Sequence, residues 1–393
     1  MISLSQSPTD PAFVQNPYPF YERARAKGPF FHWQDYGLPC TGDASVVGAI
    51  FRDRRFGREA PAEHAPAIPA HLAPFYAVEA HSMLELEPPR HTRLRALVLR
   101  AFTSRRIAAL GPEIAALSHH LIDALPPGEF DLLRQFGTQL PVIIIARLLG
   151  VPETMCDDLL RWSNAMVGMY IANRTPEAES RAIAATEAFT DFLRGYIDDR
   201  RARPADDLIT HLIAASDDGD RLTTDELIST CILLLNAGHE ATVHTIGNGV
   251  KTLLETATPP AALSPEAVPQ TVEEILRHDP ALHMFTRWVY ADVTLAGHSF
   301  RRGDRVALLL AAANRDPAVW PDPARFDPAR PVRPHTSFGA GLHFCVGAPL
   351  ARLELQIALP ILFQRLPNLR LAAAPDYADV YHFHGLKHLS VLP

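Results

Sequence analysis

The feature that most constrains this chain is the run that begins at Thr223 and stays apolar past Ile232, Leu233, Leu234 and Leu235 to Leu253 and Leu254. Thr223-x-x-Glu226 is a capping box, which sets a helix N-terminus at its head. A helix so long and so apolar must cross a core, so the rest of the chain has to be assembled around it. In its middle, Asn236-Ala237-Gly238-His239-Glu240-Ala241-Thr242 places a glycine and a charged pair on an otherwise apolar surface. A buried Glu needs a partner or a task. The interruption is either a packing adjustment around a bulky neighbour or a groove for a small ligand.

A second stretch, Phe338 to Arg352 (FGAGLHFCVGAPLAR), sets one cysteine, Cys345, between glycine-flanked turns and a segment rich in helix formers. The thiol therefore sits in a loop feeding a helix N-terminus, where the positive dipole end favours the thiolate. Gly339 and Gly341 are expected to let the backbone fold beneath the sulfur and point N–H groups at it. Three chemistries are open to such a thiolate: attack on a substrate, zinc binding, or ligation of haem iron. The four cysteines, Cys40, Cys156, Cys231 and Cys345, are widely scattered with no C-x-x-C pair, which argues against structural zinc. A buried small hydrophobe is the commonest state of a lone cysteine.

Proline punctuation and helical periodicity alternate along all 393 residues, with no repeat or low-complexity linker, and 47% hydrophobic content suffices for a large core. One domain over 1–393 is expected. Helices are expected at Pro17 to Lys27, from Asp43 as cap to Phe51, from Pro88-Pro89 onward, and at Pro112 to Leu125, Thr138 to Leu149, Glu153 to Gly168, Pro176 to Arg201, Asp206 to Ala215 and Thr271 to Arg277. Short strands are expected at Phe30 to Trp33 and Pro39 to Thr41. Alternation at Thr286, Trp288 and Tyr290, at Val293 and Leu295, and at Val306, Leu308 and Leu310 gives a small β portion turning at Arg302-Gly303-Asp304. Arg55 to Glu87 has no period and suits a long functional loop. Trp162 to Thr175 suits a mobile lid, and the tail from Asp376 to Leu392 a hairpin with its tip near Val380 to His384. After Leu254 the chain is irregular through Gln270.

No long uninterrupted apolar run exists, and the N-terminal segment is polar and proline-punctuated, so neither a signal peptide nor a membrane anchor is expected. A net charge of −7 without charged blocks argues against nucleic acid as the principal partner. Four scattered cysteines suit a reducing, cytoplasmic compartment. His91 and Arg95 stand four apart on one helical face and can clamp an anion together, although spacing alone favours a solvated basic face.

The pattern Phe338-Gly339-x-Gly341-x-His343-x-Cys345-x-Gly347 resembles the haem-binding loop of the cytochrome P-450 monooxygenases. The resemblance covers essentially the whole chain, in order. His91-x-x-x-Arg95 resembles the haem-propionate clamp, the central run the oxygen-activation motif, and Glu274-x-x-Arg277 the family's E-x-x-R. Asn314-Arg315-Asp316-Pro317, Asp322-Pro323, Phe326-Asp327 and Arg330 resemble its meander. It implies a mainly α fold with small β-sheets, a single triangular domain with haem b between the long central helix and the helix after the cysteine. It further implies Cys345 as the iron's thiolate ligand, Phe338 packed beside the sulfur with Gly347 next to it, and His343 and Arg287 as propionate partners. Glu274 and Arg277 would join a downstream arginine or histidine to hold the loop beneath the haem. The helix that follows the central one in the family would be trimmed or lost here.

The implied activity is hydroxylation, or another oxidation, of a small, mainly hydrophobic or aromatic substrate with O2 and two electrons from a ferredoxin or flavodoxin and its NAD(P)H reductase, by a monomer. Gly238, Glu240, Ala241 and Thr242 occupy the oxygen-activation positions. There is one departure: the hydroxyl residue expected after Glu240 is Ala241, and Thr242, one position on, is rotated by roughly 100° around the helix. This leaves peroxide use, or a non-oxygenating haem-thiolate activity, as an alternative, beside a non-catalytic haem sensor. Leu234, Ala237, Leu282, Phe285, Met166 and Phe383 are expected against substrate, with apolar stretches at Met166 to Ile171 and Leu282 to Phe285. Arg58, His64, His71 and His81 leave room for an acidic one. Arg100, Arg105 and Arg106 are expected to form a basic docking face for the electron donor.

Overall fold

A computed structural model of the chain describes all residues except 171–173 and 217–218. It is mainly helical with small β-sheets, and its contacts define two compact units. The first comprises Met1–His64, Ala115–Gly137 and Ala241–Pro393; the second comprises Ala65–Ile114 and Thr138–Glu240. Among the described residues no helix is long and apolar enough to cross a membrane.

The first unit holds the β structure. Its six-stranded sheet runs, in spatial order, Ile2–Leu4, Phe31–Trp33, Leu38–Thr41, Arg305–Leu309, Met284–Val289 and Phe56–Gly57. Strand Ile2–Leu4 pairs parallel to Phe31–Trp33, so the polar N-terminus, for which no element was expected, is a sheet edge. Only side-chain alternation marks an exposed edge strand in a sequence, and three residues are too few to show it. Beneath the sheet, Phe13, Phe20, Tyr21, Phe31, Trp33 and Tyr381 form an aromatic core, with edge-on pairs such as Phe13–Trp33 at 5.8 Å. Asp43 caps Ala44–Arg52 by accepting from the amides of Ser45 and Val46. The tail turns back as expected: Ala378 N–H donates to Gly385 and Lys387 N–H to Asp376, and Tyr377 bridges Leu386.

In the second unit the 27-residue helix Pro176–Ala202 buries Ala182, Ala185, Phe189, Leu193 and Ile197. That spacing is a 3.6-residue stripe, and Trp162 of Cys156–Val167 lies 5.2 Å from the Phe189 ring. Trp162 is thus a core residue and no part of a lid. After Val167 a short turn spans Gly168–Tyr170. Ile171, Ala172 and Asn173 of the expected lid and apolar stretch lie outside the described residues.

The central helix, Thr224–Glu255, has 32 residues and is about 48 Å long. Its capping box is reciprocal: Thr223 N–H donates to Glu226 Oε2 at 2.8 Å, and Glu226 N–H to Thr223 Oγ1 at 3.2 Å. Arg93 then binds Glu226 from Nη1 at 2.6 Å and also holds Asp220. After Glu255 comes only the short turn Pro260–Leu263 before Val268–His278. The shortened connection is as expected, but the next helix begins ahead of Thr271. Pro269 lies within its first turn, where proline costs no hydrogen bond.

Candidate functional site

The cysteine loop is built from glycine turns. Gly339 and Gly341 have φ of +65° and +69°, and a Cβ at Gly341 would meet the Phe51 carbonyl oxygen at 2.1 Å. Only glycine fits there. Cys345 N–H donates to Phe338 O at 3.0 Å, which closes the loop, and helix Ala348–Arg365 starts three residues on. Gly339 N–H itself donates to Thr336 O at 2.8 Å, within the turn. A Cβ at Gly347 would stand 3.8 Å from Cys345 Sγ.

Cys345 is the partly exposed cysteine of the four; Cys40, Cys156 and Cys231 are buried. Burial pushes the thiols of Cys156 and Cys231 up to about 11 and about 12, and that of Cys40 higher still. Those three are structural.

The loop is held by two ionic groups, one buried and one half-buried. Arg277 forms a bidentate pair with Glu274, both bonds 2.7 Å, at 1% and 3% residue exposure. Its Nη1 also donates to the carbonyls of Asn314 and Pro323, and the Trp320 ring covers the guanidinium at 5.4 Å. Arg330 donates to Glu274 at 3.1 Å and to the carbonyls of Asp322 and Arg325, so it is the downstream arginine that the E-x-x-R pattern needs. The second group was not found from the sequence. Glu273 accepts from Arg352 and from His335, whose Nε2 lies 3.1 Å away, while the Arg352 guanidinium sits 4.6 Å over the Phe338 ring. Burial alone would raise Glu273; the hydrogen bonds from His335 and Arg352 outweigh it and draw the carboxyl down to about 2. These three residues lie far apart in sequence and carry no motif.

Arg287 is no strand-surface arginine. It is 3% exposed, its guanidinium lies 4.9 Å from the Phe51 ring, and Nη1 donates to Thr286 O. Phe285 lies between two cations, with Arg287 at 5.9 Å and Arg58 at 5.4 Å from its ring. His343 is half-buried on the short turn Gly341–His343. In the second unit, His91 is buried and Arg95 half-buried, one turn apart on Arg90–Ala101, which excludes a fully solvated basic face. Two histidines of the expected acidic-substrate group have partners within their own units. His64 stacks on Trp288 at 5.8 Å, and His71 pairs with Glu179 at 3.1 Å.

In the middle of the central helix the accessible residues are Leu233, Ala237, Gly238, Glu240, Ala241, Val243 and His244, and all of these but Val243 lie on one side of the helix. Ala237 is exposed in the midst of a buried helix, whereas Thr242 is 5% exposed and lies off that face. Glu240 is therefore not buried, as the sequence suggested; its side chain is 23% exposed and lies 3.4 Å from His239 Nε2. Gly238 is not there for packing. A Cβ would meet Ile145 at an ordinary 3.6 Å, whereas at Gly247 it would meet Leu133 at 2.7 Å. A bulky neighbour does not account for the glycine in this interruption.

Of the residues expected against substrate, Leu282 and Phe383 meet in an antiparallel bridge, and both are half-buried, as is Phe285. His244 joins them, its ring 6.5 Å from Phe383, although no motif marked it. Leu234 is 8% exposed. Met166 is corrected to a core residue: it has no exposed surface, and its sulfur accepts from Asn236 Nδ2 at 3.9 Å.

The chain is thus mainly helical, with its one accessible cysteine in a glycine-turned loop braced by a buried Glu–Arg–Arg group. The sequence profile of the cytochrome P450 family matches residues 266–369. The chain is 38% identical to the cytochrome P450 monooxygenase PikC of Streptomyces venezuelae, over 97% of this chain and 91% of that one. It is 42% identical to cytochrome P450 107B1 of Saccharopolyspora erythraea, over 86% of this chain and 81% of that one. The crystal structure of P450BioI in complex with hexadec-9Z-enoic acid ligated acyl carrier protein superposes with a TM-score of 0.91 at 34% identity, covering 97% of this chain and 99% of that one. The chain belongs to the cytochrome P450 family; it is a monooxygenase of bacterial type that uses haem b.

Proposed function

We propose that the chain oxygenates a small, mainly hydrophobic organic substrate, drawing two electrons from a ferredoxin or flavodoxin served by an NAD(P)H-dependent reductase. It does so as one catalytic domain over 1–393, a cytoplasmic monomer. The observation that carries this reading is the situation of Cys345, the partly exposed thiol of four, in a loop whose backbone only glycine can follow. Such a donor fits an iron, and Arg287, His343, His91 and Arg95, all able to donate N–H bonds, would fit the two carboxylates of haem b. In this assignment Cys345 ligates the iron, those four residues take the propionates, Phe338 packs beside the sulfur with Gly347, and Glu274 and Arg277 hold the loop. When bound, haem with a thiolate ligand supplies the O–O cleaving chemistry.

The chain's own residues have three tasks. Leu234, Ala237, Leu282, Phe285 and Phe383, joined by His244, bind and orient the substrate and exclude water. Gly238 keeps the helix face open for a diatomic ligand. Glu240, ionisable and partly exposed, holds a proton near that face. One observation favours a second reading of this last step: Ala241 stands on the accessible face and Thr242 does not. A proton route through Glu240 or through the substrate replaces the usual hydroxyl, and peroxide is then a usable oxidant. For the electron donor, Arg100 and Arg105 are exposed, while Arg106 is engaged by Asp206 at 3.2 Å. We propose that all three contribute to a basic docking face.

The names of similar proteins include polyketide biosynthesis and biotin biosynthesis, so substrates are to be tested by class. The experiment is a visible-absorption titration of the holoprotein with aromatic, terpenoid, macrolide-like and fatty compounds, the last both free and carrier-bound. An apolar compound that shifts the main band to the blue is then incubated with 18O2 and the reductase system. One 18O per product molecule is expected. Product without label, or labelling by water, overturns the oxygenation reading.

A further inference from the structure

We infer that Asp279, His283 and His384 form a second metal site, for a divalent transition ion with zinc the best fit. Among the described residues this is the group of His, Cys, Asp and Glu side chains whose donor atoms converge, all within 4.8 Å of one another and all buried. Cys345 takes no part in it, and the inference does not depend on the proposed substrate.

The three side chains come from three places: the cap of helix Val268–His278, the residue before strand Met284–Val289, and the tail hairpin. Their orientation is fixed. Tyr21 gives its hydroxyl proton to Tyr381 at 2.8 Å, so the 2.9 Å contact to His283 is a donation from Nδ1–H. That tautomer leaves a lone pair on His283 Nε2, which is fully buried and has no hydrogen-bond partner. A buried lone pair without a donor asks for a cation or an ordered water. His384 Nε2 stands 3.6 Å from Asp279 Oδ1, beyond a hydrogen bond. It is close to the roughly 3.3 Å that separates two donors on a tetrahedral zinc with bonds of about 2 Å.

The surroundings are those of a metal site's outer shell. Tyr18 and Tyr377 donate to the two carboxylate oxygens of Asp279. Asn248 clamps the carbonyls of both Asp279 and His384, at 3.2 and 2.8 Å. Tyr377 stacks on His384 at 3.7 Å, which locks that ring. Two cations stand further out, Lys251 over Tyr377 and Arg315 over Tyr18. Two neutral imidazoles and one carboxylate make a donor set suited to zinc. Bound there, the ion would staple the tail hairpin to the strand edge where Phe383 bridges Leu282.

The test uses the holoprotein equilibrated with zinc chloride, washed with chelator and analysed for metal. Wild type is expected to retain one zinc per chain, and Asp279→Asn and His384→Gln at least about tenfold less. Crystals of wild type, scanned across the zinc edge, are expected to give an anomalous peak between the three side chains; this reading stands even if a variant fails to fold. Wild type that retains no zinc, with a water among the three residues, overturns the site. So does zinc retained equally by the variants, which places it on surface histidines.

Discussion

The cysteine loop and the accessible face of the central helix are built in opposite ways. Around the loop every charge is met: Glu274 receives Arg277, Arg330 and the Asp327 amide, and Glu273 receives His335 and Arg352. On the helix face Ala237 is exposed, a Cβ at Gly238 would meet only an ordinary contact, and Ala241 stands in place of a hydroxyl residue. A ligand that must stay put is served by an over-determined frame, because a buried pair resists any change that leaves one charge alone. A site that must admit and turn over small molecules is served by surface left unfilled. Stability and turnover are therefore expected to respond to different residues.

The largest effect follows from breaking the frame. Arg277→Ala removes the bidentate partner of Glu274, leaving it only Arg330 and the Asp327 amide in a dry interior, and is expected to cost about 3 kcal/mol, read as a fall in the urea midpoint together with loss of haem retention. A near-normal midpoint would show that the frame is not what holds the loop. On the helix face the expectation is reversed. Ala241→Thr leaves the midpoint in place and raises the product formed per reduced nicotinamide severalfold; an unchanged yield would show that Glu240 or the substrate already delivers the proton.

Smaller effects sharpen the contrast. Replacing Leu282 or Phe383 by Ala is expected to change the kcat/KM ratio between a bulky and a slim apolar substrate by roughly 10-fold or more, with the haem spectrum unaltered. Glu273, held down to about 2 in the folded state, contributes stability that is complete above the ordinary glutamate value near 4.5 and lost as pH falls from there toward 2. Glu273→Gln is expected to flatten that acid limb of a stability-versus-pH curve. Glu354 has the opposite sign. Burial without compensation raises it to about 8, so its ionisation opposes folding increasingly as pH rises from about 4.5 to 8. Glu354→Gln is expected to add about 1–3 kcal/mol at neutral pH and nothing near pH 4.

The sequence displayed the parts whose information is local. Thr223 and Glu226 announce a capping box, Gly339 and Gly341 announce turns, and the alternation from Thr286 to Leu310 announces strands, because each rests on spacing within a few residues. It did not display what forms only on folding. Glu273, His335 and Arg352 meet across 79 positions, His244 reaches Phe383 through the tail hairpin, and Met166 has the same composition whether it lines a pocket or fills a core. The charged pair at His239-Glu240 was misjudged for a related reason: hydropathy cannot tell a buried face from an open one on a helix apolar all round. The shift from Ala241 to Thr242, by contrast, was visible at once, since the angle per residue turns a sequence offset into a direction.

The central claim, that Cys345 is the iron's thiolate, is tested most directly by the absorption difference spectrum of the dithionite-reduced holoprotein with and without carbon monoxide, beside Cys345→Ser. Wild type is expected to give the strongly red-shifted main band of a thiolate-ligated ferrous carbonyl, and the variant to lose it while still retaining haem. A wild-type protein without that band, or a variant that keeps it, would contradict the assignment.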